Sequence, residues 1–344
     1  MFNRLYLFLR RIIEIGYSLL CFILYFSGVY YVISILRRRS PVILYYHSVN
    51  RQDYPFVYPD NIVSVENFGK QMAYLSHKKR IISLSELSKY IENGMDFPPN
   101  LAIITFDDGY YDFYSKAYPI LKKYNAPCTL FPITGLLEGG VKWEDVLTYV
   151  INTTSMARFS IRIRGDVKTY DLTSPHRRIN CIRELNSLLV KMDENERNEA
   201  ITEIERLHQP PYKPFKPVML SWKEVLELNR DELVTFGSHT NTHYNLASIS
   251  AQKAWLEISE SKEKIERFLD KPCTIFSYPF GKRDSFNEDI KEMLRMGGFS
   301  LAVTTMRGTV SKKTDPFELR RIAAVGSASY KFKCSLIGIA LQRS

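Results

Sequence analysis

"LAIITFDDGYYDFY", residues 101–114, is an apolar run that stops abruptly on two adjacent carboxylates, Asp107 and Asp108. The run reads as a buried strand. Successive side chains in a strand point to opposite faces, so two neighbouring carboxylates at its end can do different work. One can hold a metal ion while the other faces a reacting molecule. Taken alone, the Asp-Gly step is also a common turn dipeptide. What gives the pair weight is where the other elements of the chain stop.

Short apolar runs alternate with amphipathic stretches on both sides of this segment. "PVILYYHSV" (41–49), "RIISL", "LAIITF" (101–106), "PCTLFPITG" (127–135), "DELVTFGSH" (231–239), "CTIFSYPFG" (273–281) and "SLAVTT" (300–305) read as strands. "FGKQMAYL", "SELSKYIENG" and "SKAYPILKKYN" read as helices between them. That alternation predicts parallel βα units. Roughly seven or eight strands favour a closed barrel over an open sheet, with the chemistry at the strand ends. The fold class expected is α/β, a distorted (β/α) barrel, seven-stranded, with a helical insertion and an N-terminal membrane-associated helix.

The insertion spans 140–217. "RFSIRIRGDVKTYDL" (158–172) alternates with period two around Gly165-Asp166, as a hairpin does. Residues 176–207 are charged and helical, and "QPPYKPFKP" (209–217) is a Pro-rich loop. The segment is expected to form a lid or wall in one βα connection. The division of the chain is then 1–40, a membrane-associated segment; 41–326, the barrel; and 327–344, a tail that either packs on the barrel or touches a membrane.

The net charge of +10 is unevenly placed. Residues 1–40 hold six Arg (4, 10, 11, 37, 38, 39) against Glu14, a net +5, so half the excess flanks one apolar stretch. That distribution points to a membrane and not to a nucleic-acid footprint. "IGYSLLCFILYFSGVYYVISI", Ile15 to Ile35, is 21 residues without a charge, and about 20 suffice to span a bilayer. A helix lying in the interface through residues 12–36 is the alternative, favoured by the Tyr content and Glu14. Arg on both sides leaves the orientation open. The five Cys have no metal-site spacing and imply no disulfide framework.

The second cluster is "GSHTNTH", 237–243, directly after the "LVTF" strand. His239 and His243 are four apart, so on a helical turn both imidazoles would reach one point. One carboxylate with two His makes an open metal site that leaves positions for water and substrate. Ser238 and Thr240 are placed to buttress it.

With these motifs in hand, the chain resembles the polysaccharide deacetylases of the NodB-homology type, carbohydrate esterase family 4. The matching stretches are "TFDDGYYD", "GSHTNTH", "FSYPFG" and "LRRIA", in that order, over 41–326. The resemblance implies that Asp108, His239 and His243 bind a divalent metal, usually Zn2+, and that Asp107 is the catalytic base. It also implies an oxyanion site formed by the metal and a backbone N–H of "SYPFG".

One part of the family pattern is missing. Many relatives draw the general acid from a His near the C-terminus, but His occurs only at 47, 77, 176, 208, 239 and 243. His47 ends "VILYYH" much as Asp107 ends its own run. The branch resembling the exopolysaccharide (poly-N-acetylglucosamine) deacetylases takes its acid from such a "YH" context. His47 is therefore the expected acid, the alternative being a core histidine bonded to a carbonyl. Arg321, in "LRRI", is expected either to orient Asp107 or to form an ordinary salt bridge. Tyr278, Pro279, Phe280 and Trp143 are candidates for the wall of a sugar groove, as is Trp222.

The function expected is metal-dependent removal of acetyl groups from N-acetylated sugars of a polysaccharide or glycolipid, at a membrane whose side is left open. The alternatives are an O-acetyl esterase with the same site and a non-catalytic glycan-binding module on the same scaffold. No nucleic-acid partner is expected.

Overall fold

The structure, a computed structural model, describes residues 2–208, 218–324, 326 and 329–339. Its strands in chain order are β1 (Val42–Tyr46), β2 (Ser48–Val49), β3 (Ile62–Val63), β4 (Arg80–Ile82), β5 (Leu101–Asp108) and β6 (Cys128–Pro132). They continue as β7 (Arg158–Ile163), β8 (Asp166–Asp171), β9 (Val234–Phe236), β10 (Ile275–Ser277), β11 (Leu301–Arg307) and β12 (Leu319–Ala323).

Seven strands run β10-β11-β12-β1-β5-β6-β9, every neighbouring pair parallel, and β4 pairs alongside β5. One isolated bridge just past β9 links the two ends of this sheet. Ser238 N donates to Ile275 O (2.9 Å) and Ser277 N donates to Ser238 O (2.9 Å), a single parallel bridge to β10. The barrel expected from the alternation is therefore present, nearly closed. Gly237 makes the closure possible. A Cβ there would lie 2.4 Å from the Phe131 ring and 2.7 Å from Ile275 O.

Side-chain alternation separates two cores. Ala102, Ile104 and Phe106 of β5 face the surrounding helices, while Leu101 and Ile103 join Ile43, Phe131, Ile275, Val303 and Leu319 inside. Above that apolar plug the interior turns polar, with Thr105, Thr129, Ser277 and Arg321 buried at successive positions. The carboxylate of Asp107 tops this column, at the ends where βα units carry their chemistry.

The insertion has its own small core. The hairpin β7–β8 turns at Arg164-Gly165 (φ 49° and 88°), one residue earlier than the pattern suggests, with Ile163 paired to Asp166. Phe159, Ile161 and Ile163 from its alternating face pack on Leu147, Ile151, Ile182 and Leu185 of the helices Trp143–Thr153 and Pro175–Leu189. The Pro-rich stretch 209–217 lies outside the described residues.

The apolar stretch expected either to span a membrane or to lie on one forms two helices. Helices Phe2–Phe26 and Val29–Leu36 meet at Gly28 (φ 83°) with a bend of 84°. No single described helix is long and apolar enough to cross a membrane. The C-terminal segment packs against this pair. Arg37 Nη1 donates to Ile337 O (2.6 Å), Tyr17 Oη to Ile339 O (3.2 Å) and Lys333 Nζ to Tyr25 Oη (2.7 Å).

Closure at Gly237 carries a measurable cost. Gly237→Ala is expected to destabilise the protein by about 1–3 kcal/mol through overpacking against Phe131 and β10, read as a lower denaturation midpoint. An unchanged midpoint would mean that the bridge at Ser238 contributes little to the barrel.

Candidate active site

Asp107 and Asp108 come from one strand end yet reach the same site, because the pleat breaks between them. Asp107 keeps strand geometry and points into the barrel. Asp108 has φ 75° and Gly109 φ 84°, so the chain leaves the strand through left-handed positions that redirect the Asp108 side chain. Both carboxylates are buried, at 2% and 1% exposure, which makes their charge partners decisive.

Arg321 is the partner of Asp107. It is completely buried on β12 and binds the carboxylate through both ends of its fork, Nη1 to Oδ1 at 2.8 Å and Nη2 to Oδ2 at 2.7 Å. Its remaining N–H groups are also placed, Nε on Thr304 O (2.8 Å), Nη1 on Thr105 Oγ1 (3.0 Å) and Nη2 on Ser277 Oγ (3.1 Å). Tyr45 lies across the guanidinium, 4.8 Å from ring centre to Cζ. Burial alone would raise the pKa of Asp107, but Arg321, then His239 and His47, outweigh it and hold the carboxyl below its usual range. Of the two readings of Arg321, this arrangement matches orientation of the base and not a surface ion pair.

Asp108 faces the two imidazoles. Its Oδ1 lies 3.4 Å from His239 Nε2 and 3.6 Å from His243 Nε2, and is buried with no hydrogen-bond partner among the described residues. His239 Nδ1 bonds the backbone carbonyl of Ser277 (2.7 Å), which makes Nδ1 the protonated nitrogen and leaves the Nε2 lone pair free. One ligand atom from each of the three residues lies within 4.8 Å of the others. An orphaned carboxylate oxygen facing two imidazole nitrogens fits a divalent cation, and this N2O donor set suits zinc.

The two His converge by a different route from the helical turn expected. Residues 237–245 are irregular, with Thr240 at φ 65° and His243 at φ 68°. The reversal is pinned by Glu257, which accepts from Asn241 N (3.0 Å), Thr242 N (2.7 Å) and Thr242 Oγ1 (2.5 Å). Thr240 Oγ1 accepts from His243 N (3.0 Å), and Ser238 Oγ bonds Ser261 Oγ (2.9 Å). Gly135 N donates to Asn241 O (2.7 Å), and the contact leaves no room for a Cβ at Gly135.

His47 stands at the end of β1, its ring 5.7 Å from that of Tyr45. Burial pushes its pKa down to about 4, against the pull of Asp108 and Asp107. It is therefore uncharged at neutral pH.

The aromatic candidates divide. Tyr278 is a core residue and not a groove wall: it is fully buried, stacked on Phe286 at 4.3 Å, and its Oη donates to Phe317 O (3.0 Å). Trp222 is likewise buried and stacked on Phe268. Pro279 is buried, while Phe280 is half-buried with its ring 5.0 Å from that of His243. Trp143 is half-buried at the start of its helix, with the Arg197 guanidinium 5.4 Å over its ring.

Three charged residues beside Trp143 belong to the site and were not singled out from the sequence. Lys142 Nζ lies 2.6 Å from Asp108 Oδ2, both side chains being buried. Glu144 Oε1 lies 3.3 Å from His243 Nδ1, and its oxygens have no hydrogen-bond partner among the described residues. Asp145 accepts from Tyr110 Oη (2.8 Å), and burial raises its pKa to about 7. In sequence "KWED" looks like the solvated, acidic first turn of a surface helix, and nothing in it marks burial.

The family model for polysaccharide deacetylases matches residues 94–302, more than half the chain, and includes both carboxylates and both His that face Asp108. The chain belongs to the polysaccharide deacetylase family. A Staphylococcus aureus poly-beta-1,6-N-acetyl-D-glucosamine N-deacetylase is 36% identical over 110 residues, 29% of this chain and 38% of that protein's length. Among solved structures, Streptococcus pyogenes deacetylase PplD in complex with acetate superposes with TM-score 0.57 at 20% identity, covering 87% of this chain and 98% of that one. IcaB from Ammonifex degensii gives 0.56 at 20% identity, over 87% and 97%. These two likenesses bear on the fold of this polysaccharide deacetylase family member. His47 and Arg321 lie outside the family match, so their place in the site rests on the geometry above.

Removing the fork tests that geometry. A carboxylate whose folded pKa is depressed contributes stability above its unfolded value, near 4, and loses it as pH falls through the folded pKa. Arg321→Met leaves Asp107 buried and unpaired, so it is expected to cost about 3–5 kcal/mol at neutral pH. It should also raise the pKa of Asp107, moving the acid limb of any pH–rate profile upward. An unmoved acid limb would mean that Asp107 is not the group that titrates there.

Proposed function

We propose that this protein is a metal-dependent N-deacetylase acting on an acetylated polysaccharide of the poly-N-acetylglucosamine type, with zinc as the metal. The observation that carries the reading is the pairing of an ionised base with a cation site. Asp107, locked by Arg321, adjoins the converging Asp108, His239 and His243. The name of the Staphylococcus aureus relative supports the choice of polymer.

A divalent cation held by Asp108, His239 and His243 would polarise the acetamide carbonyl and acidify the attacking water. Asp107 accepts the proton of that water, and its fixed orientation keeps an oxygen free of rotation at the moment of attack. In 278–281, Tyr278 N donates to Val303 O and Gly281 N to Pro279 O, and Pro279 has no N–H. Phe280 N–H is the donor left to stabilise the oxyanion. The C–N bond then breaks, with acetate leaving from one side and the sugar amine, once protonated, from the other. His47 is uncharged at neutral pH, so it can protonate the leaving amine only after taking up a proton, and the one that Asp107 accepts from the water is the source the site supplies.

That same property of His47 favours a second reading, O-acetyl ester hydrolysis, because an alkoxide can leave unprotonated whereas the amide nitrogen must be protonated before the C–N bond breaks. Acetate release from N-acetylglucosamine oligomers and from an O-acetylated glycan separates the two. The N-deacetylase reading expects turnover of the oligomers, a loss of about 100-fold or more in kcat for His47→Ala, and near-complete loss for Asp107→Asn. Turnover of the ester alone, little affected by His47→Ala, would establish the esterase instead.

We also propose that the bent N-terminal pair lies in a membrane interface. Ile15, Leu19 and Ile23 are 65%, 57% and 53% exposed along one stripe of the first helix, and Val32, Ile35 and Leu36 extend it past the bend. Arg37, Arg38 and Arg39 follow at once, exposed beside that apolar surface. Apolar burial with basic residues at the rim suits an anionic bilayer. In flotation assays the protein is expected to rise with vesicles containing anionic lipid, and Leu19→Glu with Ile23→Glu to leave it at the bottom. Flotation unchanged by the double substitution would contradict this placement.

A further inference from the structure

We infer that Lys142 is a positioning residue that restricts Asp108 to one-oxygen ligation through Oδ1 and weakens the site's hold on its cation. The inference rests on the metal-site reading above and adds to it a residue outside the ligand set. Its basis is the division of labour on one carboxylate. Oδ2 takes the Lys142 ammonium at 2.6 Å, while Oδ1 faces both Nε2 atoms and has no hydrogen-bond partner among the described residues.

Lys142 is held where it is. It precedes the Trp143–Thr153 helix at the N-cap position, its side chain is 6% exposed, and its Nζ lies 5.0 Å over the Tyr110 ring. The same Tyr110 donates to Asp145, which closes a ring of contacts from the insertion to the strand end. The insertion, which reads in sequence as a wall, thereby supplies a buried cation to the active site.

Two consequences follow from the charge and its place. With Oδ2 occupied, Asp108 cannot wrap an ion with both oxygens, and the coordination position saved is left for water or the substrate carbonyl. A fixed positive charge on the opposite oxygen of the same carboxylate also repels a divalent ion at close range in a poorly screened site. A less neutralised ion is the stronger Lewis acid, so the arrangement exchanges affinity for polarising power.

Titration of Co2+ into metal-stripped full-length protein tests this, with the visible d–d spectrum reporting coordination number. Lys142→Met is expected to bind Co2+ about tenfold or more tightly than wild type, with a weaker d–d band from a higher coordination number and a lower kcat on the acetylated substrate. Equal or weaker binding by Lys142→Met overturns the inference. If that variant does not fold, X-ray absorption on the wild-type Co2+ form decides: a one-oxygen carboxylate is expected, and a two-oxygen carboxylate overturns it. Absence of Co2+ binding by wild type would instead remove the metal-site reading on which the inference stands.

Discussion

Two carboxylates adjacent in the chain stay ionised in a buried site because each has its own buried cation. Arg321 holds Asp107 through both oxygens, and Lys142 holds Asp108 through one. Burial alone would drive both carboxyls toward the neutral acid; Arg321 outweighs it at Asp107, and Lys142 together with the facing imidazoles outweighs it at Asp108. The barrel is arranged around this requirement. Its interior is apolar below and polar above, so the long Arg321 side chain rises through a packed core and finds an acceptor for every N–H. The closing bridge at Ser238 places His239 one residue beyond the ring, where the Ser277 carbonyl fixes its tautomer.

Much of this was legible in the sequence, for a physical reason. Asp107, Asp108, His239 and His243 sit at the ends of apolar runs, and a parallel barrel gathers strand ends on one face. His47 and Arg321 follow the same logic, although the β12 strand that carries Arg321 is too short and too charged to be read as buried. The way the two His meet was not legible. A helical turn and an irregular turn with two left-handed residues give the same four-residue spacing, and contacts outside the motif, from Glu257 and Gly135, select the second.

The misjudged aromatics and the missed lysine have a common cause, which is that burial is a property of packing and not of residue type. Tyr278 lies between Ser277, which touches the site, and Pro279, yet strand alternation turns it outward onto Phe286 and the helical layer. Lys142 shows the converse. A lysine before a helix with two acids in its first turn belongs on the surface by every local rule. Tertiary packing of the insertion brings it under Asp108 instead, together with Glu144 beside His243.

The central claim is that Asp108, His239 and His243 assemble around one divalent cation with Asp107 beside it. Anomalous diffraction at the zinc edge, from crystals of the protein grown with Zn2+, tests it most directly. The expected result is a single strong peak bonded to Asp108 Oδ1 and to Nε2 of both His239 and His243. A zinc-loaded crystal with no peak there, or with the ion bound elsewhere while those three side chains keep their places, would contradict it.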